Sequence, residues 1–161
     1  MTILIAPDKF KGSLTAKGVC EAVRIGLLKL DRSLSIITVP LADGGEGTSE
    51  LLTINSGGSV IYCSVSDPLF RKVNAAYGIS GDGTTAFIEM ASASGLHLLT
   101  KEERNPLNTT TYGTGELIAD AIVRGVNKII LAIGGSATND AGIGMAAALG
   151  MKFIDKNGAE L

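Results

Sequence analysis

The chain has 161 residues, of which 45% are hydrophobic and 19% charged, with a formal net charge of −2. A chain so apolar and so weakly charged is not a disordered segment, and its length supports a real core in one domain or two small lobes. The balance of 14 Lys and Arg against 16 Asp and Glu leaves no basic excess for a nucleic-acid partner.

The predicted elements alternate strand, turn and helix. Ile3 to Ala6 is a short apolar run ended by Pro7-Asp8, as in a strand buried on both faces of a parallel sheet. From Thr15 to Leu30 the apolar residues Ala16, Val19, Cys20, Val23, Leu27 and Leu30 recur at helical spacing, with Ser13 or Thr15 as cap. Ser35 to Val39 reads as a second strand, and Gly47 to Ile54 as a short helix closed by Asn55-Ser56-Gly57-Gly58. Three strands follow, Val60 to Val65, Val73 to Tyr77 and Thr85 to Ile88, separated by Asp67-Pro68 and Gly81-Asp82-Gly83. With no long helix between them they predict an antiparallel or mixed sheet. A helix over Thr114 to Val126, with Leu117, Ile118, Ala121 and Ile122 as its core stripe, leads to a strand over Lys128 to Ile133. A helix from Asp140 to Leu149 and a last strand near Met151 to Ile154 complete the pattern. The predicted class is α/β: a Rossmann- or flavodoxin-like parallel sheet with helices, plus part of a second, mixed α/β lobe. Residues 1–56 fall in the first lobe and the second begins within 57–90. Because a parallel strand needs a crossover and a partner, a strand just before the last residues predicts an incomplete fold.

Cys20 and Cys63 give neither a disulfide framework nor metal-ligand spacing, and reduced thiols are expected. No signal peptide is recognised, and no stretch approaches the roughly 18 apolar residues of a membrane helix. A cytoplasmic protein without membrane contact is the expectation. His97, the single histidine, lies between Leu96 and Leu98 and predicts a part-buried structural role.

Open α/β sheets bind ligands at strand carboxyl ends, and four loops there are rich in small and polar residues. They are Ala6 to Ser13, Ala42 to Thr48, Glu89 to Gly95, and Gly134 to Asp140. Small residues leave the first amides of a helix open to an anion, and Ser13, Thr48, Ser136 and Thr138 add hydroxyl donors. Asp8, Asp43, Glu46 and Asp140 are carboxylates of the kind that hold Mg²⁺ against phosphates, while Lys9 and Lys11 can neutralise a transferring phosphoryl group. Each loop alone is equally consistent with turning and capping. No P-loop motif is present, and Gly142-x-Gly144-x-x-Ala147, a relaxed dinucleotide pattern, fits helix packing better.

Taken together these motifs resemble the type-1 glycerate kinase family of bacteria. The resemblance rests on Ala6-Pro7-Asp8 with Phe10-Lys11-Gly12-Ser13, on Ala42 to Thr48, and on Glu89-Met90-Ala91 with Ala93 to Leu96. It continues through Arg104-Asn105-Pro106, Thr110 to Glu116 and Gly134 to Asp140. The position of Lys9 is commonly Ser in that family, which gives Lys11 the greater weight. The resemblance implies two α/β lobes, one flavodoxin-like, with the active site between them, and phosphorylation of D-glycerate with ATP and Mg²⁺. Family members are far longer, so it covers their amino-terminal part alone. A fragment or a shortened gene is therefore expected, with little activity by itself and a tendency to self-associate. The implied catalytic residues are Asp43, Asp140 and Lys11, and the metal ligands Asp43, Glu46 and Asp140. Substrate or phosphate contacts are expected from Asp8, Lys9, Ser13, Gly44, Gly45, Ser92, Ser94, Gly95, Thr111, Thr114, Gly134, Gly135, Ser136, Thr138 and Asn139. Arg71 or Arg104 would clamp the glycerate carboxylate. The rival functions are a Rossmann-type oxidoreductase and a non-catalytic small-anion binder.

Overall fold

A computed structural model describes residues 1–159, which divide into two compact units, Met1–Asp43 and the residues from Gly44 onward. The first is a βαβ unit. Strand β1 (Thr2–Ile5) pairs in parallel with β2 (Ser35–Thr38), Thr2 opposite Ser35 and Ile5 opposite Thr38, across helix α1 (Ala16–Leu30). The cap is Thr15, whose Oγ1 accepts from the Gly18 amide at 3.1 Å. Val19 and Cys20 are the buried positions of α1, and the Cys20 thiol points at the Ile5 carbonyl, 3.8 Å away. Parallel pairing continues past the strands, with Val39 N donating to Ile5 O at 2.8 Å and Leu41 N to Pro7 O at 2.9 Å. The loops after β1 and β2 are therefore neighbours.

The second unit is built on a four-stranded sheet in the order β3 (Ser59–Ser66), β4 (Lys72–Ile79), β5 (Thr85–Glu89), β6 (Lys128–Ala132). The first two pairings are antiparallel and β5–β6 is parallel, which is the mixed sheet the turn signals predict. At the β3–β4 hairpin Asp67 Oδ1 accepts from the amides of Leu69 (2.8 Å) and Arg71 (2.9 Å), an Asx turn that fixes the register. Helix α4 (Tyr112–Val123) crosses from β5 to β6, burying Leu117, Ile118 and Ala121 against Val65, Ala75, Tyr77, Ala86 and Ile88. Between β5 and α4 stand a one-turn helix α3 (Ala91–Ser94) and a 3₁₀ turn at Leu96–Leu98.

Helix α2 (Thr48–Asn55) belongs to this sheet. Ser49 Oγ donates to Phe87 O at 2.6 Å and accepts from Gly78 N at 3.2 Å, and a Cβ on Gly78 would lie 1.6 Å from Thr53 Oγ1. That packing sets the break between units at Asp43/Gly44, ahead of the 57–90 range expected from the rhythm of elements. Four other expectations are corrected. Residues 151–154 form no regular strand, and Ile154 makes only an isolated bridge. Ile122 is 52% exposed, on the side of α4 turned from the sheet. His97 is exposed rather than part-buried. The last helix, α5 (Ile143–Ala148), is shorter than predicted because residues 140–142 make a turn instead. Among the described residues both cysteines are free, and no helix is long and apolar enough to cross a membrane.

Candidate functional site

Close backbone contacts lace together three loops of the second unit. Gly134 N donates to Gly44 O at 3.0 Å, Leu96 N to Gly135 O at 2.9 Å, and Ala137 N to Ser94 O at 2.8 Å. Glycine is required where they meet: a Cβ on Gly134 would come within 2.7 Å of Gly45 Cα, and one on Gly95 within 2.2 Å of Ala91 O. Glu89, buried at the end of β5, accepts from Ser49 N at 2.8 Å and so caps the first turn of α2 from another element. The sequence marks Glu89 as part of a motif but does not reveal this brace, whose partner lies 40 residues away.

The laced loops border an open hollow of about 290 Å³ lined by Glu46, Ala91, Leu96, His97, Arg104 and Gly135, all of them exposed except Ala91. Two of the predicted residues with charge, Glu46 and Arg104, thus share one hollow with His97, which sequence reasoning set aside. The alternative clamp, Arg71, is already committed: its Nε donates to Asp67 Oδ2 at 2.6 Å and its Nη1 to Glu103 Oε1 at 2.7 Å. Arg104 makes no hydrogen bond or ion pair among the described residues.

Asp140 is held differently. Its Oδ2 accepts from Thr111 N (2.9 Å), Thr111 Oγ1 (2.8 Å) and Gly144 N (3.1 Å), and its Oδ1 from Gly142 N (2.9 Å). Burial pushes the carboxyl up, but these donors outweigh it and hold the pKa below the usual aspartate value. Four donors on two oxygens make a clamp that ties the β6–α5 loop to the start of α4, an arrangement poor for a base or a metal ligand. Thr111 Oγ1 completes it by accepting from Met145 N at 2.8 Å. The hydroxyls of Ser94 and Thr114 bond to each other at 2.8 Å, and both residues are 0% exposed, so they face the core instead of a ligand. Thr138 Oγ1 donates to Thr109 O at 2.8 Å, and Thr138 N donates to Ser136 Oγ at 3.2 Å. Gly44, Gly45, Ser92 and Gly134 are half-buried, while Gly135 and Asn139 are exposed.

The remaining predicted residues lie on the first unit. Asp8 follows β1, and its Oδ1 accepts from Lys9 N at 2.6 Å. Lys11 and Ser13 are exposed on a tight turn closed by Ser13 N to Phe10 O at 2.9 Å, with Gly12 at φ +74°. Asp43, exposed, follows β2 in the adjoining loop. Among the described residues no three His, Cys, Asp or Glu side chains gather as a metal cage. The dinucleotide-like glycines have local reasons: a Cβ on Gly144 would lie 2.1 Å from Thr110 Oγ1, in the loop before α4, and Gly142 sits at φ +78°.

The model of the glycerate kinase family matches residues 3–161 of the chain. The chain belongs to that family. It is similar to the Glycerate 2-kinase of Escherichia coli (strain K12), 52% identical over 161 residues, covering 100% of this chain and 42% of the relative. It is also similar to the Glycerate kinase of Haemophilus influenzae, 54% identical over 155 residues, covering 96% and 41%. Among solved structures, a Salmonella typhimurium LT2 protein assigned as glycerate kinase 2 superposes with a TM-score of 0.84 at 48% identity, covering 100% of this chain and 43% of that one. The α/β architecture described above is that family's fold, and the chain spans about two fifths of the length of these relatives.

Proposed function

We propose that the chain is the amino-terminal portion of an ATP- and Mg²⁺-dependent kinase that phosphorylates D-glycerate. What carries this is the family match from residue 3 to residue 161, which takes in every one of the loops singled out for anion and metal chemistry. A hydroxyl oxygen of glycerate attacks the γ-phosphorus of ATP, the bond to the β-phosphate oxygen breaks, ADP leaves, and the hydroxyl proton passes to a base. Asp43, exposed in the loop after β2, is the candidate for that base, or for a carboxylate facing the nucleotide's metal, while Asp140 accepts four protein donors. Lys11, exposed on its turn, suits neutralisation of the transferred group. Mg²⁺ would supply charge neutralisation on the phosphates, and it usually takes only one or two protein carboxylates with water and phosphate oxygens. Asp140 does not fit as one of them.

The test is phosphoglycerate formation, followed by ³¹P NMR with ATP, Mg²⁺ and D-glycerate. The chain joined to the carboxy-terminal segment of the E. coli relative is expected to form phosphoglycerate and ADP in equal amounts and to stop on chelation of Mg²⁺. The 161 residues alone are expected to show little or no transfer. Absence of transfer from the joined protein, with its fold verified, would refute the proposal.

A further inference from the structure

We infer that Glu89 is a catalytic residue of the transfer, its Oε2 taking the proton from the acceptor hydroxyl as that oxygen attacks the γ-phosphorus. This rests on the kinase proposal and names the base, which leaves Asp43 the metal-facing role. Two carboxylates are buried among the described residues, Asp67 at 5% exposure and Glu89 at 9%. Asp67 has both oxygens engaged, Oδ1 by the amides of Leu69 and Arg71 and Oδ2 by the Arg71 guanidinium. Glu89 has one engaged: Oε1 accepts from Ser49 N at 2.8 Å, while Oε2 accepts no hydrogen bond among the described residues. No side-chain oxygen or nitrogen sealed from solvent lacks a partner among them, so Oε2 is in contact with solvent. A carboxylate withdrawn from water is costly unless paired, and capping α2 employs only one of its oxygens.

Glu89 ends β5, and open α/β sheets bind ligands in a crevice beyond strand carboxyl ends. Here the sheet splits at that end. Strand β4 pairs with β5 only at Gly78–Phe87 and Ile79–Ala86, whereas β6 continues beside β5 as far as Glu89, opposite Ala132. Ser49 is wedged into the split, its hydroxyl bridging Gly78 N and Phe87 O. Glu89 thus lies beyond the last rung with β4, and its bond to Ser49 N ties it to the helix that follows the Ala42–Thr48 loop. With Oε1 fixed, Oε2 is held in place, and a base so positioned contributes about a hundredfold or more. In the transfer the hydroxyl oxygen bonds to phosphorus and its proton moves to Oε2. The electron pair of the breaking phosphorus–oxygen bond leaves with ADP.

Glu89→Gln keeps an acceptor for Ser49 N and removes the oxygen that can take a proton, so it separates the base from the brace. In the protein joined to the carboxy-terminal segment of the E. coli relative, the variant's turnover is expected to fall at least about a hundredfold. KM for D-glycerate and for MgATP should stay within about threefold of the parent. The 161-residue Glu89→Gln chain should unfold at a urea concentration close to the parent's. In the joined parent, D-glycerate should shift the ¹³C resonance of the Glu89 carboxyl and leave that of Asp67 in place. Should Glu89→Gln fail to fold, this resonance decides. Near-parental turnover in a folded Glu89→Gln protein would overturn the assignment and leave the kinase proposal standing. So would a Glu89 carboxyl resonance indifferent to saturating D-glycerate, or a variant that raises KM with turnover unchanged. A folded joined parent that transfers no phosphoryl group would remove the kinase proposal and the base with it.

Discussion

At Asp140 four donors converge on one carboxylate, and the consequence is measurable. The folded-state pKa is lowered, so the group contributes stability that is complete above the unfolded value near about 3.9 and is lost as pH falls through the folded value. Asparagine keeps one acceptor oxygen but turns an NH₂ toward an N–H donor, either Gly142 N or the group bound by Oδ2. Asp140→Asn is therefore expected to cost about 1–3 kcal/mol at neutral pH. It should also flatten the acid-side loss of stability below about pH 4, read from urea melts at a series of pH values. If instead Asp140 were a lone base, the variant would melt like the parent at every pH. The same contrast separates Arg71 from Arg104: identical side chains, one paired with Asp67 and Glu103, the other exposed with no ion-pair partner among the described residues.

Elements dock here through missing side chains as much as through present ones. Helix α2 lies close on the sheet because Gly78 leaves room for Thr53, which is 2% exposed. Gly78→Ala is expected to destabilise the second unit by roughly 1–3 kcal/mol, the range for overpacking a tight core site. Thr53→Ala should recover part of that loss in the double variant, since the hydroxyl is the nearest obstacle while the Thr53 Cβ, at 2.9 Å, still crowds the new methyl. Strictly additive denaturation midpoints would show that α2 is not pinned there. None of this coupling is visible in sequence, although the elements themselves largely are. Helix α1 is legible from its apolar spacing and the Thr15 cap, and the β3–β4 hairpin from Asp67-Pro68, because both signals are local. The one-turn helix at Ala91–Ser94 is hidden by its small residues, which pattern like a loop. The supposed strand at 151–154 fails since its existence depends on a partner elsewhere, and His97 reaches the cavity only because a turn in the tertiary fold presents it. Site loops were legible as compositional clusters. Which hydroxyls face inward was not, because Ser94 meets Thr114 from 20 residues away.

At the scale of the molecule, the two units are unequal in how much apolar surface they hide. In the first, a two-stranded sheet and one helix leave Leu4 63%, Ile37 51%, Val23 42% and Leu30 86% exposed. Two strands alone are marginal in water, and among the described residues no third strand pairs with β1 or β2. Unpaired strand edges flanked by apolar side chains are templates for pairing with another chain. The isolated chain is therefore expected to self-associate as its concentration rises, with β1 and β2 at the contact. Leu4→Lys combined with Ile37→Lys places charge on neighbouring paired strands, since Leu4 lies opposite Ile37, and should shift the species toward monomer. Light scattering across a concentration series reads the change in mass, and hydrogen exchange should show β1 and β2 protected more at high concentration than at low. The parent chain remaining monomeric throughout, with those amides exchanging at one rate, would mean that the exposed side chains of this unit do not drive association.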